Sequence, residues 1–354
     1  MSEMSKEERL LCALNHEEPD RVPLFDLLDH KGIIERYAGR ELTLDNASEV
    51  IPLAVGRVLD TTRVWMPRAP GRRVDERGFV YERVDWWNEW QVDTPFHTQA
   101  ELAAFVRSEI ERLEAWQPDV RDRSGLTEAL AWKARFCDTV IPASTAEEAL
   151  AAAWIPLGLD RFVYLEDECP ALVERWLEAL HAQTMRRLQS EAGCRAISPI
   201  AWIFDDIAFK GRLMFSPEYL RTRRVFAHLS EMCDLYHSYG LKVIFHSDGD
   251  ITAIVPDLIA AGVDAIGPVD VPAGMDLAAL KADFGGRLAF VGGIDLGVLA
   301  AGTAEDVRRV TRQALSDAGV GGGLILGSSS EELYDSLPME NILAMWEAAR
   351  ESEH

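Results

Sequence analysis

A short run in the second half of the chain, His246-Ser247-Asp248-Gly249-Asp250, places an imidazole two residues from a carboxylate and follows it with a glycine. Side chains at 246 and 248 can converge on one point, and Gly249 lets the backbone approach a ligand closely. Two chemistries suit this pair. Histidine nitrogen and carboxylate oxygen are donors for a hard or borderline divalent metal. They also form a general acid–base pair in which Asp248 sets the imidazole tautomer. The plain alternative is a strand-end histidine followed by helix-capping aspartates. A second acidic step, Asp205-Asp206, could accept hydrogen bonds from a substrate, with one carboxyl raised by the charge of the other. It could equally be a turn, and Lys210 and Arg212 lie close enough in sequence to neutralise it.

The elements that must carry these residues are legible from residue 196 onward. Apolar runs with little polar alternation occur at 196–204, 241–246, 263–269, 287–294 and 322–328, as expected of strands buried on both faces. Amphipathic stretches with helix start and stop signals separate them, such as Ser216-Pro217 to Gly240 and Thr303 with Asp306 to Gly319. A further helix opened by Pro338 would bury Ile342, Leu343 and Trp346. This alternation predicts parallel βα units. Residues 21–26 and 138–144 add two strands, and 162–167 (FVYLED) is either the eighth or a loop before a helix over 170–192. The expected fold is an α/β (β/α)8 TIM barrel forming one domain over 1–354, in which 1–120 includes an N-terminal helical and hairpin extension. In such barrels the strand C-termini build the active site. The strand ends supply Asp26, Asp29, Ser144, Asp205, Asp206, His246, Asp248, Asp270, Asp295 and the stretch from Ser328 to Glu332. Trp86 and Trp87, within the tryptophan-rich insertion, could wall a flat aromatic substrate.

Composition narrows the partners. The formal charge of −23 disfavours nucleic acid and anionic lipid, and no apolar run approaches the ~20 residues that span a bilayer. The arginine-rich run over 68–83 reads as a solvated face. Five scattered cysteines form no paired motif, so neither a thiolate cage nor a disulfide framework is expected. The opening residues read as a charged amphipathic helix without a secretory signal's apolar core, which places the protein in the cytoplasm. Gly321 to Gly323 precede a strand and lack phosphate-loop spacing, so they are turn residues.

Several segments together resemble the uroporphyrinogen decarboxylase superfamily, especially its corrinoid-dependent methyltransferase branch. They are KEERLLCALNHEEPDRVPLFD, DDIAFKGRLMFSPEYLR, LKVIFHSDGDITAIVPDLIAAGVDAIGPV, LAFVGGID and PMENILAMWEAA, in that order. Two departures matter. VPLFDLLDHKG stands where true decarboxylases carry an arginine-rich carboxylate grip. Where zinc-dependent members carry a His-x-Cys pair and a later cysteine, this chain has His246, Asp248 and the Ser328-to-Glu332 stretch, so zinc would have to bind without cysteine ligands. The resemblance implies a methyltransferase moving a methyl group from a small, methylated, often methoxy-aromatic donor to a corrinoid (cobalamin) on a separate protein. In that reading His246 with Asp248 is an acid, or a metal site completed by Glu331 or Glu332, while Asp205 and Asp206 orient the substrate. Asp26, Ser144, Asp270, Asp295 and Trp86 are candidate substrate contacts, and the resemblance implies a homodimer. Two alternatives remain open: a lyase decarboxylating another acid, weakened by the scarcity of arginines at strand ends, and a non-catalytic barrel that binds a corrinoid or tetrapyrrole.

Overall fold

The computed structural model describes residues 3–118 and 123–351. All five regular strands of the second half form where the apolar runs predict them: Ile200–Phe204, Lys242–His246, Ala265–Val269, Ala289–Ile294 and Leu324–Ser328. With Ser144–Glu147 they make a six-stranded parallel sheet. Two short segments close the ring. Phe25 N donates to Leu326 O at 2.9 Å and Thr61 N to Leu24 O at 3.1 Å, while Thr62 N donates to Val140 O at 3.1 Å and Ala143 N to Ile200 O at 2.9 Å. The first barrel strand is therefore at Leu24 and Phe25, the second at Thr61, and the third runs from Val140 to Glu147. The result is the expected TIM barrel.

The segment 162–167 is neither a strand nor a loop. It lies inside the helix Leu159–Glu168, where Phe162 and Leu165 are buried but Val163 and Tyr164 are exposed. That spacing is helical despite the strand-like composition. The stretch after Ser216 is also two helices, Pro217–Thr222 and Val225–Ser238, broken at Arg224 in the left-handed region. Leu343 of the final helix Met339–Glu351 is only partly buried, whereas Ile342 and Trp346 are enclosed. The extension over 60–120 is a three-stranded antiparallel sheet (Gly71–Val74, Val80–Arg83, Glu89–Asp93) followed by the helix Gln99–Ala115.

Two apolar cores result. One fills the space between strands and helices; the other lines the barrel with Phe25, Val140, Ile200, Trp202, Ile244 and Ile325. Leu10, Ala13 and Leu14 of the helix Lys6–Leu14 join this inner core and so plug the N-terminal end. One carboxylate fastens the plug. Asp60, fully buried, accepts from Arg9 Nη1 at 2.7 Å, from Arg21 Nη1 at 2.7 Å, and from Leu24 N at 2.8 Å. It ties the N-terminal helix and first strand to the second strand. Removing it leaves the Arg21 guanidinium without its carboxylate and Arg9 with Asp20 alone, in a low-dielectric region. Asp60→Ala is expected to cost about 3–5 kcal/mol in denaturant unfolding. Arg175→Ala, which breaks the exposed Arg175–Glu114 pair, should cost less than about 1 kcal/mol.

Candidate active site

Trp202, stacked on Phe25 with ring centroids 5.1 Å apart, separates the apolar interior from a polar mouth. Above it stand Phe204 and His246, whose rings lie 5.2 Å apart at the ends of the fourth and fifth strands. His246 is buried and points inward because strand residues alternate, carrying 244 and 246 to the same face. Its two nitrogens meet different partners. Nδ1 lies 3.1 Å from Glu331 Oε2, and Nε2 lies 3.6 Å from Asp206 Oδ1 and 4.0 Å from Asp248 Oδ1.

Glu331 is fully buried, and Oε2 also receives Nη2 of Arg63, so one carboxylate oxygen serves two cations. Its backbone sits at φ +60, a strained conformation for a side-chain-bearing residue. Gly267 leaves the carboxylate room: a Cβ there would lie 3.1 Å from Glu331 Oε1 and 2.7 Å from Val291 Cβ. Arg63 follows the second strand and seats its guanidinium 4.8 Å from the Phe204 ring centroid and 5.2 Å from that of Trp202.

The electrostatics follow. Burial pulls the His246 imidazole down, but the charge of Glu331 and its contact with Nδ1 outweigh this and hold it above the ordinary 6.5. Burial pushes Glu331 up, yet Arg63 and His246 more than compensate, keeping it ionised. The Asp248 side chain is exposed, but the surrounding protein desolvates its carboxyl. With Asp206 and Glu331 adding to that effect and His246 opposing it, its carboxyl rises to about 6.

The remaining sequence candidates scatter. Asp205 turns away from Asp206, as neighbouring strand-end residues do. It is buried against the helix Ala149–Leu157, accepting from Ala151 N at 3.1 Å, and is raised by burial, then by Glu148 and Asp206. Ser144 faces outward too, bonded to Glu191 and, at 2.8 Å, to Tyr236. Asp270 accepts from Gly249 N at 3.3 Å and steadies the loop after His246, and Asp295 caps the helix Leu296–Ala301. Gly249 has φ +87, and a Cβ there would fall 2.5 Å from Phe209 N, so only glycine fits. Trp86 stands at a separate cleft of about 650 Å³ with Trp87, Lys31 and Tyr334. Asp26 lies beneath the site, fully enclosed, with Oδ1 accepting from Ser328 N at 2.9 Å.

Among the described residues, Asp206, His246 and Asp248 form a group whose donor atoms all lie within 4.8 Å of one another. One nitrogen and two carboxylates suit a hard or borderline divalent cation, and no cysteine belongs to the group, so the donor chemistry does not suit a thiolate site. Glu331 faces the opposite ring nitrogen. It therefore lies outside the group formed by Asp206, His246 and Asp248.

A cleft of about 490 Å³ opens beside this cluster, lined by Arg63, Trp65, Trp132, Ile141, Pro142 and Phe204. Sequence reasoning missed Arg63 because the second strand that positions it is a single bridged residue. The β-branched pair Thr61-Thr62 was the available signal.

The model of the family described as uroporphyrinogen decarboxylase (URO-D) matches residues 159–352, more than half of the chain. No curated protein matches. Among solved structures, the chain is similar to a methyltransferase from Methanosarcina mazei, with a TM-score of 0.68, 18% identity and 99% of each chain covered. It also aligns with a glycerophosphoryl diester phosphodiesterase from Parabacteroides distasonis ATCC 8503, covering 95% of this chain and 90% of that one. The TM-score there is 0.27 at 10% identity.

The buried Asp26 yields a pH test. Burial, opposed by Ser328 and aided by Glu331, raises its carboxyl from 3.8 to about 8. A group raised in the fold contributes stability that is complete below its unfolded value and is lost as pH rises through its folded value. In the variant Asp26→Asn the amide oxygen could still accept from Ser328 N, and the side chain would not titrate. The melting temperature of the wild type should therefore fall more between pH 6 and 9 than that of Asp26→Asn, and parallel curves would refute the assignment.

Proposed function

The chain belongs to the uroporphyrinogen decarboxylase family, and from that premise we propose that it is a methyltransferase taking a methyl group from a small methylated donor, of the methoxy-aromatic kind. The observation that carries this reading is His246, held at Nδ1 by Glu331 and open at Nε2 toward Asp206 and Asp248, beside an aromatic-walled cleft. A corrinoid on a separate protein would supply the nucleophile for the methyl carbon.

This chain's residues do the rest. The cleft between Trp65, Trp132 and Phe204 takes the flat donor by apolar burial. As the carbon–oxygen bond breaks, its electron pair stays on oxygen, a poor leaving group unless that charge is neutralised. His246, held above its ordinary value by Glu331, is the donor of that proton from Nε2. Asp206 and Asp248 orient the imidazole and the substrate. If a divalent ion is bound, Asp206, His246 and Asp248 would hold it, and it would supply Lewis-acid polarisation of the leaving oxygen. In that case His246 is a ligand and not the acid.

A second reading, a lyase decarboxylating an organic acid, gains from Arg63, which gives the cleft a cation able to hold a carboxylate. In that reading a neutral carboxylic acid such as Asp248, raised to about 6, or His246 would protonate the carbanion, so carbon dioxide release by Asp248→Asn and His246→Ala tests it.

Methyl transfer to Co(I) cobalamin should fall about 10²- to 10⁴-fold in His246→Ala; an unchanged rate removes the role. For the acid reading, activity in the wild type should decline with rising pH only above the ordinary histidine value of 6.5. Elemental analysis separates the two versions. One divalent ion per chain, lost in Asp206→Asn and Asp248→Asn, supports the metal form, and a metal-free active enzyme supports proton transfer.

A further inference from the structure

We propose that the cleft beside Trp86 and Trp87 is a second ligand site, sharing no lining residue with the one beside His246, and that it takes a small organic cation with an apolar body. The inference does not depend on methyl transfer.

The cleft lies between the turn that joins the last two strands of the antiparallel sheet and the segment that follows the eighth barrel strand. Its volume of about 650 Å³ is that of a small-molecule site. Two indole rings and the ring of Tyr334 supply apolar wall, while Asp85, Glu332 and Asp335 supply charge, and Lys31 is the one cation among the described lining residues. Negative charge is in surplus there. Aromatic faces beside surplus carboxylates hold an organic cation, because ring quadrupole and carboxylate both attract the charge while the rings cover its carbon. The chain already makes one such contact. Lys31 Nζ stands 5.4 Å from the Trp86 ring centroid, and among the described residues no cation stands over Trp87 or Tyr334. Asp85 Oδ1 accepts from Trp87 N at 2.8 Å and from Asn88 N at 2.7 Å, so the turn that carries Trp87 is fixed before a ligand arrives.

An independent observation lies behind Glu332. Leu27–Leu28 pairs in parallel with Glu332–Leu333, with Leu27 opposite Glu332, and Asp29 N continues the pairing by donating to Leu333 O at 3.1 Å. Residues two apart share a face of such a ribbon. Asp29 therefore turns to the side of Glu332 and Tyr334, which line the cleft, while Leu28 and Leu333 enter the core. Asp29 is only 6% exposed, and among the described residues its carboxylate accepts no hydrogen bond. Its charged neighbours are Glu332, Asp335 and Asp85, opposed by Arg63, which is bonded to Glu331. A buried carboxylate without a donor is costly, and a cation in the cleft offsets that cost.

Calorimetry on the full chain tests this with three probes of one shape: choline, its neutral carbon isostere tert-butylethanol, and the anion of tert-butylacetic acid. Choline should bind at least about tenfold more tightly than the neutral alcohol, and the anion should not bind. The isosteric pair Glu332→Gln/Asp335→Asn should lose most of that preference, as should Trp87→Leu; if the latter does not fold, the isosteric pair decides. Lys31→Met, which removes the competing ammonium, should tighten choline binding, and Trp65→Ala, in the other cleft, should leave it unchanged. Equal binding of the alcohol, binding of the anion, or a preference that survives the isosteric pair overturns the proposal. So does weaker binding in Lys31→Met, loss of binding in Trp65→Ala, or no binding of choline to the wild type.

Discussion

The polar mouth of this barrel depends on one buried carboxylate. Glu331 has no solvent contact, sits on strained backbone and gives a single oxygen to both Arg63 and His246. A lone carboxylate in that position would be driven toward its neutral form. The two cations keep it charged, and it in turn, 3.1 Å from Nδ1, holds the imidazole above its ordinary value. The dependence is mutual, which is why the three residues come from three parts of the ring: the second strand's end, the fifth strand's end and the loop after the eighth. Only a closed barrel brings those ends together, and only a glycine at 267 leaves space for the carboxylate between them.

That requirement reaches the opposite end of the molecule. Arg63 is two residues beyond Thr61, whose bridges to Phe25 and Val140 are the second strand's whole contribution to the ring. So short a strand cannot hold its register by ladder hydrogen bonds alone. Asp60, immediately before it, supplies what the ladder lacks by accepting from Leu24 N and from two arginines at the N-terminal plug. The buried charge cluster at the base and the buried charge cluster at the mouth therefore flank the same weak strand, three residues apart. Trp202 lies between them, filling the lumen against small Ala265 and Ala289 below while its ring meets Arg63 above.

What the sequence made legible follows the same physics. Strands buried on both faces announce themselves as unbroken apolar runs, so the five from Ile200 onward were readable, and with them His246. The second strand was not, because one bridged residue has no period to detect. FVYLED misled because β-branched and aromatic residues favour strands in isolation, whereas tertiary packing chose the helix that buries Phe162 and Leu165 together. Position at a strand end also told less than expected. Asp205 and Asp206 are equivalent by that criterion, yet the pleat sends one into the helical layer and the other toward His246. Ser144 was lost the same way, to Tyr236 and Glu191.

The donor set at the mouth limits the chemistry more firmly than the fold does. A soft-metal site would need thiolate, and among the described residues no cysteine joins the group around His246. Oxygen donors replace it, and burial has raised one of them, Asp248, to about 6, so protons compete with any cation for that carboxylate near neutrality. Proton and divalent ion are thus alternative occupants of one position, and in the proposed methyl transfer both would serve the same end: neutralising negative charge as it develops on a leaving oxygen. In that reading, a chain with a large excess of acid meets the developing charge by concentrating cations beside it. Arg63 and His246, bound to one shared carboxylate beside an aromatic cleft, are that concentration.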